Sequence, residues 1–453
     1  MTDISILILA AGRGTRMYSD LPKVLHTIGD KSMLQHVIDT AQTLNPKFIG
    51  VVVGHGKELV QSSVLSDVVW IEQNEQLGTG HAVSCAIDKL PNNGYTLILY
   101  GDVPLIDTET LREIVQKAND DTLVILTDNL DNPTGYGRIL RDNQQNVVGI
   151  VEEKDANDEQ KKIQEVNTGI FVIPNNKLAV WIGNLSCNNQ QKEYYLTDIV
   201  GMAVADKLKV STVLVREHYL SAGVNNKLQQ AQLERIYQQN NAIALMQKGV
   251  TLHDPNRFDL RGKLVCGRDV VIGVNNVFYG NCELADGVVI EENCVLNNVK
   301  IGAKTRIRAF SHLENCTIGN NAQIGPFARI RPDSVLADNV HIGNFVEIKK
   351  STVGEGSKVN HLSYIGDSDI GKHSNIGAGS ITCNYDGVNK FRTEIGDNAF
   401  IGSNTLLVAP VKVGSGATTG AGSVITKDCP NDKLTIARSR QQTISHWIRP
   451  VKK

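Results

Sequence analysis

The chain carries two hydrophobic rhythms. From Ile272 onward an aliphatic or aromatic residue recurs about every six positions. The series runs through Phe278, Leu284, Ile290, Leu296, Ile301, Ile307, Leu313, Ile318, Ile324, Ile330, Leu336, Ile342, Ile348, Val353, Val359, Ile365, Ile370 and Ile376, and resumes at Ile395, Ile401, Leu407, Val413, Thr419 and Ile425. A period near six matches neither the helical 3.6 nor the strand alternation of 2. It fits a triangular coil in which each six-residue side buries one side chain. Glycine often follows the aliphatic residue, as in Ile301-Gly302 and Ile401-Gly402, and tolerates the backbone angles a corner needs. Three sides close a turn of about eighteen residues, and stacked turns pair as parallel strands about 4.8 Å apart. Stacking buries a column that no single turn can bury alone.

This rhythm resembles the hexapeptide repeats of a left-handed parallel β-helix. Between Ile376 and Ile395 it breaks. Asn384, Tyr385, Lys390 and Arg392 are poor occupants of a tight coil, so the segment reads as a protruding loop, and such excursions from a solenoid often carry function. The N-terminal half differs. Apolar strands at Ser5–Ala10, Ile49–Val53, Thr96–Tyr100, Leu123–Leu126 and Gly169–Ile173 alternate with helical stretches such as Leu34–Thr43 and Leu111–Ala118. That order predicts an α/β domain with a mainly parallel sheet. Lys227 to Lys248, rich in Gln, Leu and Ala, predicts a connecting helix stopped by Gly249. The expected division is 1–226, a helical linker at 227–248, and 249–453.

Composition narrows the classes. With 453 residues, 41% hydrophobic and 21% charged, the chain suits two or three packed domains rather than a disordered polymer. A net charge of −2 lacks the basic excess of a general nucleic-acid binder, so phosphate chemistry has to be local. The longest apolar run, Ile4 to Ala11, is too short to span a bilayer, and no basic residue precedes it as in a secretory signal. The eight cysteines contain no Cys-x-x-Cys pair. They read as reduced, mostly buried thiols of a cytoplasmic protein without a membrane partner.

The first strand runs into Leu9-Ala-Ala-Gly-Arg-Gly-Thr-Arg-Met17, with Leu21-Pro-Lys23 close behind. Gly12 and Gly14 let the backbone approach an anion, and Arg16 and Lys23 add positive charge. An ordinary strand-to-helix turn can carry the same glycines. Asp102 ends the strand Leu97 to Asp102. A carboxylate there either caps a turn or holds Mg²⁺ together with substrate phosphates.

The order of motifs resembles the sugar-1-phosphate nucleotidyltransferases, with a Rossmann-like domain. Gln73 to Gly80, Tyr100-Gly-Asp102, Asn132 to Arg138, Ile150-Val-Glu152, Asn167-Thr-Gly, Glu193 to Asp198 and Gly223-Val-Asn225 follow in the family's sequence. The resemblance implies that Asp102 and Asn225 ligate Mg²⁺. Leu9, Ala10, Ala11, Gly12, Gln73, Gly78 and Thr79 would hold the uridine nucleotide, UTP as substrate. Tyr100, Gly137, Glu152 and Asn167, with Thr79, would line the sugar side, and Gly101 and Lys23 would belong to the same UTP and UDP-sugar site. The chemistry is in-line attack on the α-phosphorus, which needs positioning and charge neutralisation, here Arg16 and Lys23, more than a nucleophile. Ala222 stands where relatives usually carry an acidic residue.

Polar residues interrupt the coils in one region. Arg331 and Lys349 lie eighteen residues apart, about one turn, and Tyr364 follows near the next. Such a trio can hold a phosphorylated sugar. His361 suits a general base that takes a proton from an amine attacking a thioester, although a lone His is more often structural.

Here the resemblance extends over essentially the whole chain, to the bacterial bifunctional UDP-N-acetylglucosamine pyrophosphorylase and glucosamine-1-phosphate N-acetyltransferase family. It implies His361 as proton acceptor, with Arg331, Lys349, Tyr364 and Asn375 binding glucosamine phosphate. Ala378, Asn384, Tyr385, Ser403, Ala421 and Arg438 would contact acetyl-CoA. It also implies a homotrimer with acetyl-transfer sites between subunits, and a product that feeds cell-wall and surface polysaccharides. Two rivals are a nucleotidyltransferase with the β-helix as scaffold and a non-catalytic sugar-nucleotide sensor. A β-helix carbonic anhydrase is excluded, since His341, His361 and His373 lack the spacing of three metal ligands.

Overall fold

The structure, a computed structural model, describes residues 3–452. Its contacts divide the chain into two units, Met1–Tyr237 and Gln238–Lys453. The division falls inside the helix Lys227–Gln247, the segment read as a linker. Leu233 packs in the first unit, and Ala242 and Leu245 pack in the second.

The first unit is built on a sheet in the order Lys209–Leu214, Thr122–Asn129, Glu165–Pro174, Tyr95–Tyr100, Ile4–Leu9, Phe48–Val53, Val69–Glu72. Neighbours are parallel except Glu165–Pro174, which runs antiparallel to both of its neighbours. Its register shifts between Asn167 and Phe171. Gly169 sits in this bulge with φ +85°, and a side chain there would meet the Tyr100 ring at 2.5 Å. Helices cover the sheet where capping and spacing agree. Met33–Gln42 starts at Ser32, whose hydroxyl accepts from the Gln35 N–H at 3.2 Å, and buries Leu34, Val37, Ile38 and Ala41.

The second unit is the triangular coil. One face stacks eleven short strands, and the other two faces share long strands in the early turns, such as Phe258–Cys266 and Asn276–Leu284. Every pairing in these stacks is parallel, and away from the two ends and the loop that follows Ile376 the partners lie seventeen or eighteen residues apart, such as Ile307↔Ile324 and Ile330↔Ile348. All members of the six-residue series are buried, Thr419 included. The break after Ile376 is an inserted loop: Ile370 pairs with Ile395, twenty-five residues on, and Tyr385 to Lys390 are exposed. The coil first continues through Ile381–Cys383, and Thr382 takes a buried place.

Most of the glycines after the aliphatic residues have a different cause from the one expected, Gly325 with φ +95° being an exception. Gly302, Gly377 and Gly402 do not have positive φ. A Cβ on each would meet backbone atoms of the next turn at 2.5 Å, so glycine is required by close approach between turns. Among non-glycine residues the left-handed positions of the coil are held mostly by Asn and Asp, as at Asn293, Asn321 and Asn339, while glycines such as Gly287 and Gly356 hold others.

Ile348 lies mid-column and is fully buried. Ile348→Ala is expected to cost about 2–5 kcal/mol of stability in denaturant titration. A loss near zero would contradict a close-packed column. All eight cysteines are free, four of them buried. Burial pushes the Cys316 thiol up to about 12, which keeps it protonated and inert.

Candidate functional sites

A cleft of about 290 Å³ opens at the carboxyl ends of the parallel strands, where open α/β sheets bind ligands. Leu9, Ala10, Ala11, Gly12, Lys23, Gln73, Gly78, Thr79, Tyr100 and Asp102 line it, as the motifs implied. Gly14 has φ +61°, and a Cβ there would strike Lys23 at 2.5 Å, so this glycine lets the loop close over the lysine. Gly101 does not line the cleft. It is packed beneath it, and a Cβ would lie 3.2 Å from Ala10 and Leu34.

The charged centre joins distant segments. Lys23 Nζ is paired with Asp102 Oδ2 and donates to Asn225 Oδ1 at 3.3 Å. Arg16 donates to the same Asn225 oxygen at 3.0 Å. The Val224 N–H donates to the Asp102 carbonyl at 2.9 Å, which ties the two oxygen-bearing segments together. One carboxylate and one amide oxygen thus converge on a single cation, the lysine ammonium. This donor set fits a hard divalent metal that completes its shell with phosphate and water. Among the described residues no group of three or more His, Cys, Asp or Glu could hold a metal without such help.

Beyond Tyr100 lie the residues assigned to the sugar side. Burial, then the charges of Glu152 and Asp102, push the Tyr100 phenol up, so it remains a neutral donor. Burial also raises Glu152, against the hydroxyl of Thr197 at 2.9 Å, which favours its charged form. Gly137 pairs with Asn167 in the sheet and leaves room for Glu152, 3.4 Å from where its Cβ would stand. Asn167 is buried, and its side-chain oxygen accepts from the Gly169 N–H at 3.0 Å. Gln76 and Glu193 also line the cleft. Both stood inside recognised motifs, but neither had a chemical signature that singled it out.

On the coil, Arg331 and Lys349 occupy one face on adjacent turns, through Ile330↔Ile348. Tyr364 stacks on Glu347, because this turn is seventeen residues long. Its hydroxyl folds back over Gly366, the residue paired with Lys349. Two acids missed at the sequence level face these cations. Arg331 meets Glu347 at 2.8 Å, and Lys349 lies 3.8 Å from the buried Asp367. Asn384 is buried and donates to Asp367, whereas Tyr385 is exposed in the loop. Asn375 belongs to another face, with Lys358 and Phe400. The structure therefore does not gather within one chain the four residues expected to bind glucosamine phosphate.

His361 is exposed at the end of the strand Lys358–His361, and its Nδ1 lies 3.1 Å from Asn344 Oδ1. An amide oxygen accepting from Nδ1–H leaves Nε2 unprotonated and able to accept a proton. Asn344 pairs with His361 across one turn. Only the seventeen-residue spacing could have found it. Ala378, Ser403 and Ala421 follow the paired residues Ile376, Ile401 and Thr419 by two positions each, so they form one column. Arg438 donates to the Ala421 carbonyl at 2.7 Å.

Comparison with known proteins bears on both units. Residues 6–160 match the MobA-like NTP transferase domain, 312–386 the GMPPB C-terminal domain, and 392–427 the bacterial transferase hexapeptide (six repeats). The chain is 58% identical to "Bifunctional protein GlmU" of Neisseria meningitidis serogroup C, over 99% of this chain and 98% of that protein. It is 55% identical to the protein of the same name from Chromobacterium violaceum, over 100% of both. The chain belongs to the bifunctional GlmU family. As a GlmU protein it is an enzyme of UDP-N-acetylglucosamine synthesis, with a nucleotidyltransferase unit of Rossmann-like fold and a hexapeptide acetyltransferase unit. GlmU nucleotidyl transfer in general uses a divalent metal, and GlmU proteins act on small molecules. Among the described residues no helix is long and apolar enough to cross a membrane.

Proposed function

We propose that the coil works first. The amine of glucosamine-1-phosphate attacks the thioester carbon of acetyl-CoA. A C–N bond forms, the C–S bond breaks, and His361 Nε2 takes the amine proton and passes it to the departing sulfur, so that CoA leaves as its thiol. Arg331, Lys349, Tyr364 and Asn375 hold the phosphorylated sugar, and Ala378, Asn384, Tyr385, Ser403, Ala421 and Arg438 contact the CoA. Because Asn375 lies on a different face from the other three, the site is completed by a second copy of the chain, in a homotrimer. The reaction runs in the cytoplasm.

The cleft works second. A phosphate oxygen of N-acetylglucosamine-1-phosphate attacks the α-phosphorus of UTP, and pyrophosphate leaves with the electrons of the broken P–O bond. Arg16 and Lys23 neutralise the charge that develops on phosphate. Asp102 and Asn225 would hold Mg²⁺, which supplies further neutralisation of the triphosphate when bound. Tyr100, Gly137, Glu152 and Asn167 orient the sugar.

The observation that carries this reading is the coexistence of two separate constellations, the Lys23–Asp102–Asn225 centre and the His361–Asn344 pair. The test supplies the full chain with glucosamine-1-phosphate, acetyl-CoA, UTP and Mg²⁺ and follows CoA and pyrophosphate separately. Both should appear, with pyrophosphate dependent on acetyl-CoA. Pyrophosphate released only when N-acetylglucosamine-1-phosphate is supplied, with no CoA, would reduce the coil to a scaffold. Asn344→Ala should slow acetyl transfer about tenfold, the worth of one orienting hydrogen bond, with uridylyl transfer unchanged. An unaltered CoA-release rate would remove Asn344 from the mechanism.

A further inference from the structure

Gln73 follows the strand Val69–Glu72, donates its N–H to the Val53 carbonyl at 2.8 Å, and lines the cleft with only 3% of its surface exposed. Its side-chain amide is held on one side only. Nε2 donates to the Gly78 carbonyl at 3.2 Å and lies 3.1 Å from His81 Nδ1. A carbonyl can only accept, so the nitrogen end must face Gly78. With one amide hydrogen on Gly78, the other meets His81. Nδ1 then accepts, and the imidazole proton resides on Nε2, which faces Cys85 Sγ at 4.0 Å. Both amide hydrogens are thereby spent on the protein. The remaining atom, Oε1, accepts from no described residue.

We propose that His81 is a positioning residue for nucleobase choice: it fixes the Gln73 amide so that a pure acceptor faces the base, and the cleft selects a base with an imide N–H. Uracil carries one donor on its pairing edge, N3–H, so an acceptor-only group pairs with it there. Thymine shares that donor. Cytosine in the same pose presents a bare N3 lone pair, and two acceptors facing each other in a water-poor cleft repel. Without His81 the second amide hydrogen loses its partner, and the amide can rotate to present its nitrogen. The proposal rests on the reading of this cleft as the uridine site.

The test uses the full chain with N-acetylglucosamine-1-phosphate and either UTP or CTP, read by pyrophosphate release, with CoA release as a control for folding. His81→Ala should raise KM for UTP about tenfold, leave kcat within about twofold, and shrink the UTP-over-CTP ratio of kcat/KM by about tenfold. His81→Asn, whose Oδ1 offers an acceptor where Nδ1 stood, should restore the ratio. A ratio unchanged in His81→Ala, even with both rates reduced, would overturn the proposal, as would a His81→Asn ratio as low as that of His81→Ala. Gln73→Ala separates the two levels. If it leaves KM for UTP unaltered, the uridine reading of the cleft fails. If it raises KM while His81→Ala keeps the ratio, only the role of His81 fails.

Discussion

Asp102→Ala is expected to lower kcat for pyrophosphate release about a thousandfold, while CoA release from acetyl-CoA continues at the wild-type rate. The substitution removes one of the two oxygens that converge at the charged centre and leaves the Lys23 ammonium without its carboxylate. Loss of one preorganised electrostatic group typically costs 10²–10³-fold, and loss of the proposed metal ligand adds to that. Asp102 sits beyond a strand end, at the cleft wall, so no core packing is lost with it. Parallel assays of both products on one preparation give the answer. Pyrophosphate release within about tenfold of wild type would exclude Asp102 from the centre.

The second large effect is the mirror image. His361→Ala should reduce CoA release by about 10²–10⁴-fold, the usual worth of a general base. Uridylyl transfer should stay normal when N-acetylglucosamine-1-phosphate is supplied. Because His361 is exposed and its side chain has one hydrogen bond, to Asn344, truncation should change stability little. If either substitution silenced both reactions in a folded protein, the two-site reading would be wrong.

Legibility differed between the two units for a physical reason. On the coil, burial repeats locally, so Ile272 through Ile425 declared themselves without any knowledge of partners. In the cleft, Gly12, Gln73, Gly78, Thr79 and Asp102 stood in short motifs tied to strand ends, and the sheet order delivers them to one place. Gly101 shared a motif with Asp102 but went to the packing beneath. Glu347 and Asp367 were missed because acids are common on a solvated surface. Only stacking shows that they face Arg331 and Lys349.

The amino-acid sequence alone determined the two fold classes and the loop inserted between Ile376 and Ile395, and it singled out the side chains proposed here for phosphate and acyl chemistry. Each of these is written in a period, a spacing or a side-chain type. Tertiary structure alone decided that Glu165–Pro174 runs antiparallel, that Asn344 orients His361, and that Tyr364 stacks on Glu347. It also decided that Lys23 bridges Asp102 and Asn225, and that repeat glycines such as Gly302, Gly377 and Gly402 answer to neighbouring turns rather than to corner angles. These depend on register between segments far apart in the chain. A turn of seventeen rather than eighteen residues changes which side chains meet, and a shift of one residue along a strand sends a side chain to the opposite face.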